Sequence, residues 1–140
     1  MNGNELAVEY INDGLEAIAL IIRTGYDAPG IRFFTPPAFS QQVAVMKHPA
    51  GHRIAAHVHN LLARQVLYTQ EVLIVRRGHI RVDLYASDRK PLFSRELRNG
   101  DAILLCGGGH AVEMLEETSL IEVKQGPYAG EQDKIIFTGG

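Results

Sequence analysis

Cysteine is nearly absent: Cys106 stands alone in the 140 residues, which excludes an intrachain disulfide and fits a reducing compartment. Charge of one sign is also lacking. The formal net charge is −2, and the tightest basic cluster, Arg76, Arg77 and Arg81, falls inside a strand pattern rather than forming a continuous run. That arrangement suits a solvated hairpin face better than a nucleic-acid surface, and no nucleic-acid partner is expected. The opening Met1-Asn2-Gly3-Asn4-Glu5 has no basic stretch of the signal-peptide kind. The apolar run over residues 15–22 contains Glu16 and is too short to cross a bilayer. A cytoplasmic soluble protein with no membrane partner is therefore expected. Repeats, low-complexity stretches and Ser/Gly-rich linkers are missing as well, so residues 1–140 read as one domain.

What is present is enough for a core. Hydrophobic residues make up 46% and charged residues 21%, and a chain of this length buries roughly two-thirds of the surface it exposes when unfolded. Glycine and proline punctuate it at short intervals, and the pieces between them suit strands. The clearest is residues 79–85, where Ile80, Val82 and Leu84 alternate with Arg81 and Asp83. Residues 71–75 form an apolar, β-branched run just before it, and Arg76-Arg77-Gly78 can supply the positive φ of a tight turn. These two runs are expected to pair as an antiparallel hairpin. Further strands are expected over 42–46, 102–105, 111–115 and 120–123, whereas 61–68 sustains no helical period and reads as a loop. The class is all-β and antiparallel, and must close as a barrel or fold as a sandwich to hide its edges. Pattern alone does not choose between the two.

Against that frame four residues carry chemistry. His57 and His59 are two apart, so on a strand both imidazoles point to one face. By themselves they could equally be two hydrogen-bonded histidines. Glu71, however, places a carboxylate at the head of an apolar strand, where an unpaired buried charge is costly. A cation held by that carboxylate and the imidazoles removes the cost, and such a set suits iron, manganese, nickel, copper or zinc. His110 follows Gly107, Gly108 and Gly109, which let the backbone turn tightly before the next strand. One divalent transition metal on His57, His59, Glu71 and His110 would keep positions open for water or substrate. The alternative is a three-ligand site with His110 behind the ligands.

The same residues resemble the two motifs of the cupin superfamily. The first is Gly51, five residues, His57-Val58-His59, eleven residues, Glu71, six residues and Gly78. The second is Gly100-Asp101 and, after four residues, a turn ending at His110, with Cys106 where the pattern has proline and Gly108 one residue nearer the histidine than usual. The motifs span residues 51–110. The resemblance implies an antiparallel β-barrel of the jelly-roll, double-stranded β-helix kind, the four-residue metal site and a homodimer. Phe33-Phe34-Thr35-Pro36 and Lys124-Gln125-Gly126-Pro127-Tyr128 look like a small bacterial cupin group associated with surface-polysaccharide genes.

The function expected is that of an enzyme acting on a small oxygen-rich molecule, either sugar isomerase or epimerase-like or oxygenase-like. The alternative is a non-catalytic module that holds a small ligand. Arg53 shares the parity of His57 and is a candidate substrate-binding residue, though a solvated arginine at the rim explains it as well. Cys106 reads as a small buried hydrophobe. Val72 and Ile74, on the face opposite Glu71, either join a second copy or pack under a further layer of the same chain.

Overall fold

The computed structural model describes residues 2–139. A one-turn helix α1 (Gly3–Leu6) opens the chain, held by a capping box in which Asn2 and Glu5 each accept from the other's backbone N–H. The strands that follow are β1 (Val8–Asp13), β2 (Glu16–Ile22), β3 (Gly30–Phe33) and β4 (Ala44–Lys47). After a long irregular segment over residues 48–69 come β5 (Glu71–Arg77), β6 (His79–Tyr85) and β7 (Pro91–Arg98). The last three are β8 (Ala102–Leu105), β9 (Gly109–Met114) and β10 (Ser119–Lys124), with a short 3₁₀ turn at Gly130–Asp133. Strands take 43% of the chain and helix 6%, which makes the protein mostly β, in antiparallel sheets.

The strands form a five-stranded sheet of order β1-β2-β8-β5-β10, a three-stranded sheet β7-β6-β9 and the two-stranded hairpin β3-β4. The central strands β2, β8 and β5 of the five-stranded sheet are buried on both faces, and this explains why β2 reads as an unbroken apolar run. One face sends Ala19, Ile21, Leu73, Val75, Ile103 and Leu105 against Ile80, Val82, Leu84 and Leu97 of the three-stranded sheet. The other sends Leu20, Ile22, Val72 and Leu104 against Phe34, Phe39, Val43 and Val45 around the hairpin. Val72 and Ile74 are thus covered by a layer of their own chain.

One expectation changes. The runs on either side of Gly78 do not pair: β5 lies between β8 and β10, while β6 lies between β7 and β9. Gly78, at φ 124°, is a corner between two sheets, fixed by its N–H donating to Asn99 Oδ1 at 2.7 Å. A Cβ there would sit 2.8 Å from the Glu117 carbonyl oxygen. Further, the two larger sheets face each other across the main core but do not close into a barrel among the described residues. The five-stranded sheet stops at β10 and the three-stranded sheet at β9, and residues 48–69 join neither.

Asp101 of the second motif serves the fold. Buried in the turn before β8, its carboxylate accepts from Thr24 N at 2.9 Å, Arg98 N at 2.8 Å and Arg23 Nη1 at 3.2 Å. No helix among the described residues is long and apolar enough to cross a membrane.

Candidate metal centre

The four candidate ligands stand as two pairs. Glu71 begins β5, where it shares the face of Leu73 and Val75 and so points toward the core side of the five-stranded sheet. His110 is the second residue of β9 in the facing sheet, paired in register with Leu84. Their side chains meet: His110 Nε2 is 2.7 Å from Glu71 Oε1. This contact joins the two sheets at the end where their edge strands are free.

The electrostatics follow from that contact. The His110 ring beside Glu71 holds its carboxyl below the ordinary carboxylate range, against the opposing effect of burial. Glu122 of β10, itself exposed, also contacts Glu71, and that contact, with partial desolvation, holds its own carboxyl above the ordinary range. The two carboxyls therefore differ in character: Glu71 is the anion and Glu122 is the readier proton carrier. Lys124, directly opposite Glu71 in the β10–β5 ladder, adds positive charge and reaches Asp133 Oδ2 at 3.7 Å.

His57 and His59 lie in the irregular segment, exposed, their rings edge to face with centroids 5.2 Å apart. His57 Nδ1 is 2.8 Å from the carbonyl oxygen of Ala55. A carbonyl only accepts, so Nδ1 carries the proton and Nε2 is left with the lone pair a metal requires. Residues 53–59 form no strand, so the shared face that a strand would give His57 and His59 is not formed here. Among the described residues, no three His, Cys, Asp or Glu side chains gather into a group able to hold an ion. Within one chain, then, the histidine pair and the Glu71–His110 pair do not build a metal cage.

The remaining candidates separate. Arg53 is exposed on the same segment and makes no ion pair among the described residues. His48 and His52 stack with centroids 3.9 Å apart at its base. His79 Nε2 lies 2.7 Å from Glu96 Oε1 without hydrogen-bond alignment, away from Glu71 in the sheet. Cys106 packs against the second core layer, and burial pushes its thiol up to about 11, so it stays protonated and unreactive at neutral pH. Beside His110 runs an open groove of about 750 Å³, lined among others by Tyr68, Tyr85, Val112, Lys134 and Phe137. Phe137 packs edge to face on Tyr85, at 5.1 Å between centroids, bringing the C-terminal segment to the site.

Glu122 and this C-terminal wall were not read from the sequence. Glu122 had a signal: it shares the parity of Leu120, which packs on the main core, so a carboxylate stands on an inward-facing row. The wall had none, because residues 134–139 have no regular structure and no period. No protein-family model matches the chain, and no curated protein or solved structure matches it either.

Proposed function

We propose that this chain is a metal-binding protein of cupin type, in which His57, His59, Glu71 and His110 hold one divalent ion, iron, manganese, nickel, copper or zinc, beside a small oxygen-rich substrate. The carrying observation is the Glu71–His110 contact of 2.7 Å, which sets an ionised carboxylate against an imidazole where two sheets meet at an open groove. A carboxylate so placed calls for positive charge, and imidazole nitrogens beside it suit a transition ion. The lone-pair Nε2 of His57 is ready for the same role. On this reading the barrel completes itself when the segment around His57 joins a free sheet edge.

The groove wall offers groups for chemistry on such a substrate. Glu122, whose carboxyl is raised by its contact with Glu71, is a proton-carrying group beside that residue. The chain purified without chelator is expected to carry near-stoichiometric metal, and the His57→Ala, His59→Ala double variant to carry none. Restoring each ion and assaying candidate sugars and dioxygen uptake then separates the reactions. Metal with ligand-dependent stabilisation but no turnover would leave the binding-module alternative, and absence of metal under every loading condition would refute the site.

A further inference from the structure

Residues 48–69 leave the body at the end of β4 and return at Gln70, and every one of them is exposed. The segment is far longer than the ~12–15 residues beyond which structureless loops become uncommon in compact domains. Its internal hydrogen bonds are local, His52 N to the Pro49 carbonyl at 3.2 Å and the His57 contact to Ala55, and none ties residues 53–69 to the rest of the chain among the described residues. Yet it is not polar. Val58 is 88% exposed, Leu61 102% and Leu67 81%, with Ile54, Leu62 and Tyr68 also in the open. Such a string of apolar side chains marks an interaction surface rather than a solvated loop.

The departure and return points are firm. Gln70 is buried, its side-chain oxygen accepting from Gln41 N at 3.1 Å and its carbonyl from Gln125 N at 3.1 Å. The segment is therefore held out by an anchored base. Residues 53–59 also carry a strand pattern: Ile54, Ala56 and Val58 alternate with Arg53, Ala55, His57 and His59. One face is apolar and the other presents both histidines.

The body lacks what this pattern would supply. The three-stranded sheet ends at β9, whose outer edge has no partner strand among the described residues. Adjacent strands lie about 4.8 Å apart, so a strand laid on that edge with its histidine face inward would bring His57 and His59 beside His110 and hence Glu71. The ligand pairs that a single chain keeps apart are complementary halves.

We propose that residues 48–69 are an exchanged arm: in a two-fold dimer, the arm of each copy lies along the β9 edge of the other and delivers His57 and His59 to that copy's Glu71 and His110. The occupant of the open edge is a second copy, because the segment with unpaired strand parity among the described residues, residues 53–59, is exposed and hydrogen-bonds to no strand of its own body. Reciprocal exchange satisfies the β9 edges of both copies at once, as a closed two-fold assembly requires. The composite site rests on the metal-site reading, but the exchange itself does not.

Two experiments keep those apart. In the first, no metal is involved: His57→Cys and His110→Cys are introduced together with Cys106→Ser, and the chelator-treated protein is oxidised. Neighbouring strands bring the sulfurs within disulfide reach. Covalent dimers on a non-reducing gel are expected, whereas disulfide-bonded monomers or no disulfide at all would overturn the exchange. In the second, His57→Ala, His59→Ala chains are refolded with Glu71→Gln, His110→Ala chains and loaded with zinc. Neither variant alone should bind, but random pairing should restore about one quarter of the wild-type zinc, since half the dimers are mixed and each carries one intact site. No restoration, while wild type binds zinc, would overturn the composite site. If wild type binds no zinc but the cross-linked dimer forms, the exchange stands and the metal-site reading falls.

Discussion

At the level of single residues, charge is placed with economy. Glu9 on β1 and Arg95 on β7 tie the two larger sheets together through three hydrogen bonds of 2.8 to 3.0 Å. The guanidinium holds the Glu9 carboxyl below its ordinary range, chiefly through those bonds. Because the folded value lies under the unfolded one, the stabilisation is fully present above the unfolded carboxylate range and lost as pH falls through the lowered value. The pair is about a third exposed, so solvent screens it, and Glu9→Gln should cost about 1 kcal/mol or less near pH 7. Urea unfolding of both proteins should show that difference at neutral pH and show it smaller at an acid pH below the ordinary carboxylate range. An equal gap at both values would mean the pair acts through packing instead. Glu71 was legible at this scale because a carboxylate interrupts an apolar strand. Its link to His110 was not, since the partners are in different sheets.

Among the elements, the corner at Gly78 decides more than any strand propensity. A tight hairpin there would have put β5 and β6 side by side, but the positive φ instead turns the chain from one sheet into the other. Gly78→Ala combines a backbone conformation unsuited to an L side chain with a Cβ pressed against Thr118 and the Glu117 carbonyl. A loss of about 2 kcal/mol or more is expected in denaturant unfolding, with far-UV circular dichroism still of β type. The alternation over β6 correctly located a strand with one buried face. β2 was hidden because burial on both faces erases alternation, and β7 because its apolar residues are interrupted by Ser94, Arg95 and Glu96. The segment around His57 has strand parity but no strand, since a strand exists only with a neighbour to accept its hydrogen bonds.

For the whole molecule, the open edges of β9 and β10 and the extended arm are one problem. If arms exchange, unfolding is coupled to dissociation and the melting temperature must rise with protein concentration. A dilution series over about a hundredfold should show that rise by differential scanning fluorimetry. Leu61→Asp with Leu62→Asp should weaken it, because both side chains are exposed in the single chain and would be buried only in the dimer. An unchanged midpoint at every concentration would argue that the arm has no partner copy.

By itself the sequence determined that the chain is mostly β, where several of its strands lie and which side of them is buried. It also marked His57, His59, Glu71 and His110 as a set. Only the tertiary structure decided that β5 and β6 belong to different sheets, that Val72 and Ile74 lie under the chain's own hairpin, and that Glu71 contacts both His110 and Glu122. The reason is physical. Periodicity records which face of a strand meets apolar surroundings, a local property, whereas the identity of the neighbouring strand depends on residues far away in the chain. An arm that seats on its own body or on an identical one has the same pattern of apolar residues, and only the placement of the body beneath it distinguishes them.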